Sequence, residues 1–316
     1  MRKFLVVAAS LLWIVASSGC GSRSGEQESG SKPSVAADSA EAAPAAASDV
    51  SAETTEASAA APGPAPVATE EQLRTALKAK NPEFGGEVGV GQSGTSIVAV
   101  EIHDPAVEDI SPLAGLPLQG LDLSGTHVTD IGPLEGMPLV NLYLEDTGVE
   151  DLGPLKGMPL VELYLSNTKV ADLSPLEGAP LRTLNLLGTK VTDLEPLARS
   201  PIKMLWLNDT PVSDIAPLAK VPLESLTLAG TKVSDLSPLA GNPLERLHIA
   251  ESEVTDLTPL ESMRLVRLVF TPERIENGIE HARNMPTLRE LGTSFDGERL
   301  PPPAVFWERY DAGEFK

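Results

Sequence analysis

The chain has 316 residues, with 45 Asp and Glu against 24 Lys and Arg, for a formal net charge of −21. No run of Lys and Arg interrupts that acidity, which excludes the phosphate-binding surface that nucleic acid requires. The single Cys excludes an intramolecular disulfide and a cysteine-based zinc cluster.

Arg2 and Lys3 precede a short apolar run from Phe4 to Ala16, and small residues follow at Ser17, Ser18 and Gly19. This is the layout of a secretory signal over 1–19, and the run is too short to span a bilayer comfortably. The segment Ser17-Ser18-Gly19-Cys20 resembles the lipobox of bacterial lipoproteins, with Ser17 where that family usually has Leu. The resemblance implies that Cys20 is acylated after cleavage, giving an exported protein with a lipid anchor in a membrane of the cell envelope. Gly21 replaces the Asp that resembles an inner-membrane retention signal, which points to the outer membrane.

Residues 20–69 hold the lipid-site Cys and then a linker of Ala, Ser, Glu and Pro. From 21 to 69 there are seven acidic and two basic residues and almost no large apolar side chains. Such a segment cannot bury enough surface to offset its ordering entropy, so a disordered tether is expected, with a mean span of about 40 Å.

Order is expected from Thr69. Thr69-Glu70-Glu71-Gln72 is a capping-box pattern, and Leu73, Ala76 and Leu77 share one helical face. Asn81-Pro82 ends that helix, and the Gly-rich stretch 84–96 predicts a hairpin or irregular strand. Residues 70–106 would form an N-terminal cap.

From 107 to 271 the chain repeats. Pro112, Pro133, Pro154, Pro175, Pro196, Pro217, Pro238 and Pro259 recur every 21 residues, each followed by Leu. One unit runs Leu118-Gln119-Gly120-Leu121-Asp122-Leu123 through Thr126, Val128, Asp130 and Ile131 to Pro133-Leu134. Alternation at Leu121-Asp122-Leu123 predicts a strand with both Leu on one face. One unit is too thin to have an interior, so only stacking buries these residues. The pattern L-x-x-L-x-L-x-x-T-x-V-x-D-[IL]-x-P-L resembles the leucine-rich-repeat family, and most of all its short internalin-type repeats, which bind other proteins. It implies an α/β-type leucine-rich-repeat solenoid, with a concave parallel sheet of about nine strands. Short 3₁₀ turns would line the convex side, since 21 residues leave no room for long helices.

Two polar columns accompany the Leu. Thr126, Thr147, Thr168, Thr189, Thr210 and Thr231, with Ser252, are placed to bond backbone where the chain leaves each strand. Asp109 to Asp256, eight residues at the same period, are placed to cap the x-P-L turns. One Asp per coil is too few oxygens for a calcium ladder. Residues 272–316 predict a C-terminal cap, with a helix from Pro272 to Asn284, a degenerate last coil at Leu288 and Leu291, and Phe306, Trp307 and Tyr310 folded back over the core.

No catalytic constellation stands out. His103, His127, His248 and His281 show no metal-ligand spacing, and there is no G-x-S-x-G. A non-enzymatic, monomeric chain without cofactor or metal is expected. The informative positions lie between and beside the strand Leu on the concave face. They place Tyr143, Tyr164, Asn185, Met204 and Trp206 outward in mid-sheet, with Glu145 and Glu162 beside them and Arg246 further along. Three of the six Tyr and Trp fall in one column. These eight residues are the expected site for a protein or peptide ligand. A structural envelope protein, whose aromatics only pack together, or a glycan-binding surface are the rival readings.

Overall fold

The computed structural model describes residues 69–294 and 300–315; the expected signal, Cys20 and the expected linker up to 68 lie outside the described residues. Among the described residues no helix is long and apolar enough to cross a membrane.

Helix α1 spans Glu70–Lys80. Thr69 Oγ1 accepts from the Gln72 amide at 3.3 Å, while Gln72 Oε1 accepts from the Thr69 amide at 3.1 Å, closing the capping box. Leu73 and Leu77 point into the core. Asn81 ends the helix and ties it to the first coil. Its amide nitrogen donates to the carbonyls of Leu77 and Asp109 at 3.1 and 2.9 Å. Its side-chain oxygen accepts from the amides of Glu108 and Asp109, both at 2.9 Å.

Strands β1 (Gly89–Ser93) and β2 (Ser96–Glu101) form the antiparallel hairpin expected in the Gly-rich stretch. The rest of the sheet is parallel and in chain order: β3 (Gly120–Asp122), β4 (Asn141–Tyr143), β5 (Glu162–Tyr164), β6 (Thr183–Asn185), β7 (Met204–Trp206), β8 (Ser225–Thr227), β9 (Arg246–His248), β10 (Arg267–Val269) and β11 (Glu290–Gly292). The nine expected strands are β2 to β10. Among the described residues the sheet has eleven, because the hairpin adds β1 and the degenerate coil pairs Leu291 with Leu268. Register never slips from β2 on: Val100, Leu121 and Leu142 are partnered in line, as are Leu163, Leu184 and Leu205.

Both Leu of each central strand face inward and are buried, as are the Val column and the Leu of each x-P-L turn. One core runs from Leu73 to Trp307. The convex side carries the expected 3₁₀ turns, for example Gly132–Leu134, Ser174–Leu176 and Ser237–Leu239, each with Pro near its start. The buried Thr hydroxyls each donate to the carbonyl three residues back, as Thr126 does to Leu123 at 2.7 Å.

The Asp column works one residue earlier than a formal cap. Asp130 Oδ1 accepts the Gly132 amide at 2.7 Å and Asp172 Oδ1 the Ser174 amide at 2.8 Å, so each Asp closes an Asx-type turn that leads into the 3₁₀ turn. The amide and hydroxyl of Ser174 hold the Asp172 carboxyl below its ordinary 3.8. A depressed folded value means that this bond stabilises the fold above the unfolded pKa, and that the contribution fades as pH falls through the lower, folded one. Asp172→Ala is therefore expected to unfold at lower urea than the parent at pH 7, with the gap narrowing below pH 3.8. Urea midpoints for both proteins at pH 7 and pH 3 check this; a gap that stays constant sinks it.

One column went unread in the sequence. The residue before each Thr, and before Ser252, has positive φ: Asp146 (57°), Asn167 (59°), Asp209 (56°) and Glu251 (60°), interspersed with Gly125, Gly188 and Gly230. Gly, Asn and Asp tolerate the left-handed region best, which explains the composition of the column apart from Glu251.

The expected helix from Pro272 to Asn284 is a correction. The segment holds a 3₁₀ turn at Pro272–Arg274 and then helix α2 over Ile279–Arg283 only. Between them Asn277 pairs in parallel with Asp256 of the previous coil. A Cβ at Gly278 would lie 2.3 Å from the Thr258 amide nitrogen, so the backbone presses against that coil and cannot begin a helix earlier. Helix α3 (Pro303–Asp311) then seals the last coil, with Phe306 and Trp307 turned over the core as expected: Phe306 is tilted against Phe270 at 5.6 Å and edge-on to Trp307 at 5.0 Å.

Candidate ligand-binding face

The parallel register puts one residue of every strand in a line along the concave face. Glu101, Asp122, Tyr143, Tyr164, Asn185, Trp206, Thr227 and His248 occupy successive strands of that line. The inward Leu on either side force these side chains outward.

The aromatic groups make one continuous surface. Tyr143 and Tyr164 stack with centroids 5.0 Å apart, and Trp206 leans across Asn185 to bring its ring within 6.2 Å of Tyr164. Expected exposure fails at Tyr143, which is only 5 % exposed. Its ring is covered by Tyr164, and its hydroxyl donates to Glu162 Oε2 at 2.7 Å. Tyr143 thus anchors the stack, while Tyr164, Met204 and Trp206 remain half-buried and reachable.

Glu162 is oriented from the coil before it, accepting from both Asn141 Nδ2 and Tyr143 Oη at 2.7 Å. Glu145 accepts from Ser166 Oγ at 3.3 Å. Burial, and then the charges of Glu162 and Glu145, push the Tyr164 hydroxyl up to about 12. The middle of the face therefore combines flat apolar rings with fixed negative charge. Asn185 turns its oxygen to the Leu187 amide at 3.1 Å.

Arg246 does not join this group. It lies on β9, opposite Ser225 and Arg267, two strands beyond Trp206, or about 10 Å by sheet spacing. It is exposed, whereas Arg267 pairs with Glu290 at 2.5 Å. His248, in the aromatic line, has its pKa lowered by burial, partly offset by Glu251.

At the opposite end the structure gathers residues that sequence spacing did not. His103 Nε2 lies 3.5 Å from Glu101 Oε1 and 3.7 Å from Asp122 Oδ2. Glu101 and His103 are two apart in sequence, but Asp122 comes from the next coil. Only the 21-residue register, read across columns, could have exposed the trio.

A one-way coil of parallel strands, 3₁₀ convex turns and a Leu-lined interior decides the architecture. The fold is a leucine-rich-repeat solenoid. Neither a family model nor a curated protein sequence matches the chain. Among solved structures, this solenoid is similar to an internalin (inlF) of Listeria monocytogenes, at 25 % identity and a TM-score of 0.54, over 70 % of this chain and 67 % of that one. It is likewise similar to an internalin C2 (inlC2) of the same organism, at 26 % identity and a TM-score of 0.53, over 63 % of this chain and 92 % of that one.

Proposed function

We propose that this solenoid is an interaction module whose concave face holds a protein or peptide carrying a Lys or Arg beside apolar residues, and that Cys20 tethers it by lipid to a membrane of the cell envelope. The observation that carries the binding reading is the half-buried Tyr164–Trp206 pair, 6.2 Å apart. Glu145 and Glu162 stand close enough to Tyr164 to shift its titration. Aromatic faces beside carboxylates favour a cation that can lie over a ring. Aromatic anchors also dominate many protein interfaces. The internalin-type repeat pattern supports the same reading. The tether reading rests on the apolar run, the small residues before Cys20 and the linker that follows.

The experiment is photo-crosslinking in intact cells from a reactive residue placed at Asn185, with fractionation of a Cys20→Ala variant alongside. A discrete protein crosslinked from position 185 is expected, and the Cys20→Ala chain should leave the membrane fraction or stall in processing. Diffuse capture of cell-wall glycan would replace the binding reading, and a Cys20→Ala chain that stays with membrane like the parent would remove the anchor.

A further inference from the structure

We propose that Glu101, His103 and Asp122 form a site for one divalent cation of the zinc class at the N-terminal end of the concave face. The ligand atoms, Glu101 Oε1, His103 Nε2 and Asp122 Oδ2, all lie within 4.8 Å of one another. In a tetrahedral zinc site, bonds of 2.0–2.1 Å put adjacent ligand atoms about 3.4 Å apart. The 3.5 and 3.7 Å separations from His103 Nε2 match that edge. They are too long for hydrogen bonds, which a protonated Nε2 would draw in to about 2.8 Å. Glu101 is part-exposed, and a rotation of its side chain would close the third edge.

The backbone of Ser124 aims two of the three ligands. Its amide donates to Asp122 Oδ1 at 2.9 Å, which leaves Oδ2 turned to His103. Its carbonyl lies 3.1 Å from His103 Nδ1. A carbonyl only accepts, so Nδ1 carries the proton and the Nε2 lone pair is presented toward the two carboxylates. A ring nitrogen fixed by a backbone carbonyl is the usual arrangement behind a metal-bound imidazole.

Charge points the same way. Asp122 is only 1 % exposed. A buried carboxylate needs a compensating positive charge. Among the described residues neither Asp122 nor Glu101 pairs with Lys or Arg, and a neutral His103 beside both supplies no positive charge. The ligand set selects the metal. Calcium takes six to eight oxygens and magnesium an octahedron rich in water, whereas one imidazole with two carboxylates suits zinc and its neighbours. A cleft of about 830 Å³, lined by Glu101, His103 and Gly89 among others, gives an ion access from solvent. The site is independent of the partner-binding reading, since Zn²⁺ alone suffices to test it.

The test is calorimetric titration of the chelator-stripped full-length chain with Zn²⁺, together with Co²⁺ absorption spectra. One saturable ion per chain is expected, with a cobalt spectrum lacking the thiolate charge-transfer band that Cys20 would contribute. His103→Ala and the isosteric Glu101→Gln should each weaken Zn²⁺ binding by roughly a hundredfold or more, with thermal midpoints near the parent's. His248→Ala should leave it unchanged. No saturable Zn²⁺ binding would overturn the site, leaving Glu101, His103 and Asp122 an ion-paired cluster only. Equal affinity in His103→Ala, or Ca²⁺ competing on equal terms, would overturn it as well.

Discussion

Replacing Tyr164 and Trp206 together by alanine is expected to weaken partner binding about a thousandfold, from ~2 kcal/mol for each of two aromatic anchors. The two rings are the parts of the aromatic line that a ligand can reach, because Tyr143 is covered and its hydroxyl is spent on Glu162. The double variant will also lose the ring contacts at 5.0 and 6.2 Å, for a stability loss of roughly 1–3 kcal/mol. It should remain folded, since the inward Leu beneath are untouched. Affinity for the partner captured from position 185 is the measurement, with circular dichroism confirming the fold. The charged groups have a different signature. Glu145→Gln should slow association and flatten its salt dependence more than it speeds release. Unaltered affinity in the double variant would clear the concave face and leave the partner bound elsewhere on the coil.

A larger blow to the fold is expected from Leu184→Ala, in the middle of the array. Leu184 is fully buried on β6 and aligned with Leu163 and Leu205 on its two neighbours. Truncating a buried Leu costs about 3–5 kcal/mol, toward the upper end when the surroundings cannot collapse. Here they cannot, because the two flanking strands are fixed in register by their own ladders. Stability in a solenoid is a sum of units and nearest-neighbour interfaces, so weakening one coil weakens two interfaces. Urea unfolding should therefore show both a lower midpoint and a broader or two-step transition, as the halves on either side uncouple. A loss below about 1 kcal/mol with a sharp single transition would mean that the core repacks freely.

What the sequence made legible follows from periodicity. A 21-residue interval that never slips puts identical chemistry at identical places, so the Leu strands, the Pro-led turns, the Thr hydroxyls and the Asp acceptors could be read without coordinates. Position in a column says which way a side chain leaves the backbone, and it put Tyr164, Met204 and Trp206 on the correct face. It does not say how far a neighbour leans, which is why Tyr143 looked exposed. It does not add up groups from different columns, which hid His103 beside Asp122. Outside the array, local pattern misled: the run from Pro272 to Asn284 suggested one helix, whereas the close approach of Gly278 to Thr258 gives the segment to pairing with the previous coil. The mixed Gly, Asp and Asn before each Thr is a left-handed corner written in three residue types, easily passed over as variation.

Those corners carry a consequence for how such a chain changes over generations. Every coil enters and leaves through the same turn, so a unit can be duplicated or lost in frame and its neighbours meet surfaces like those they met before. Each such event would lengthen or shorten the sheet by one strand spacing, about 4.8 Å, without redesigning the ends. The aromatic line and the Glu101–His103–Asp122 cluster are then marks on a ruler. Their separation is counted in whole coils, and recombination between repeats can reset it in single steps.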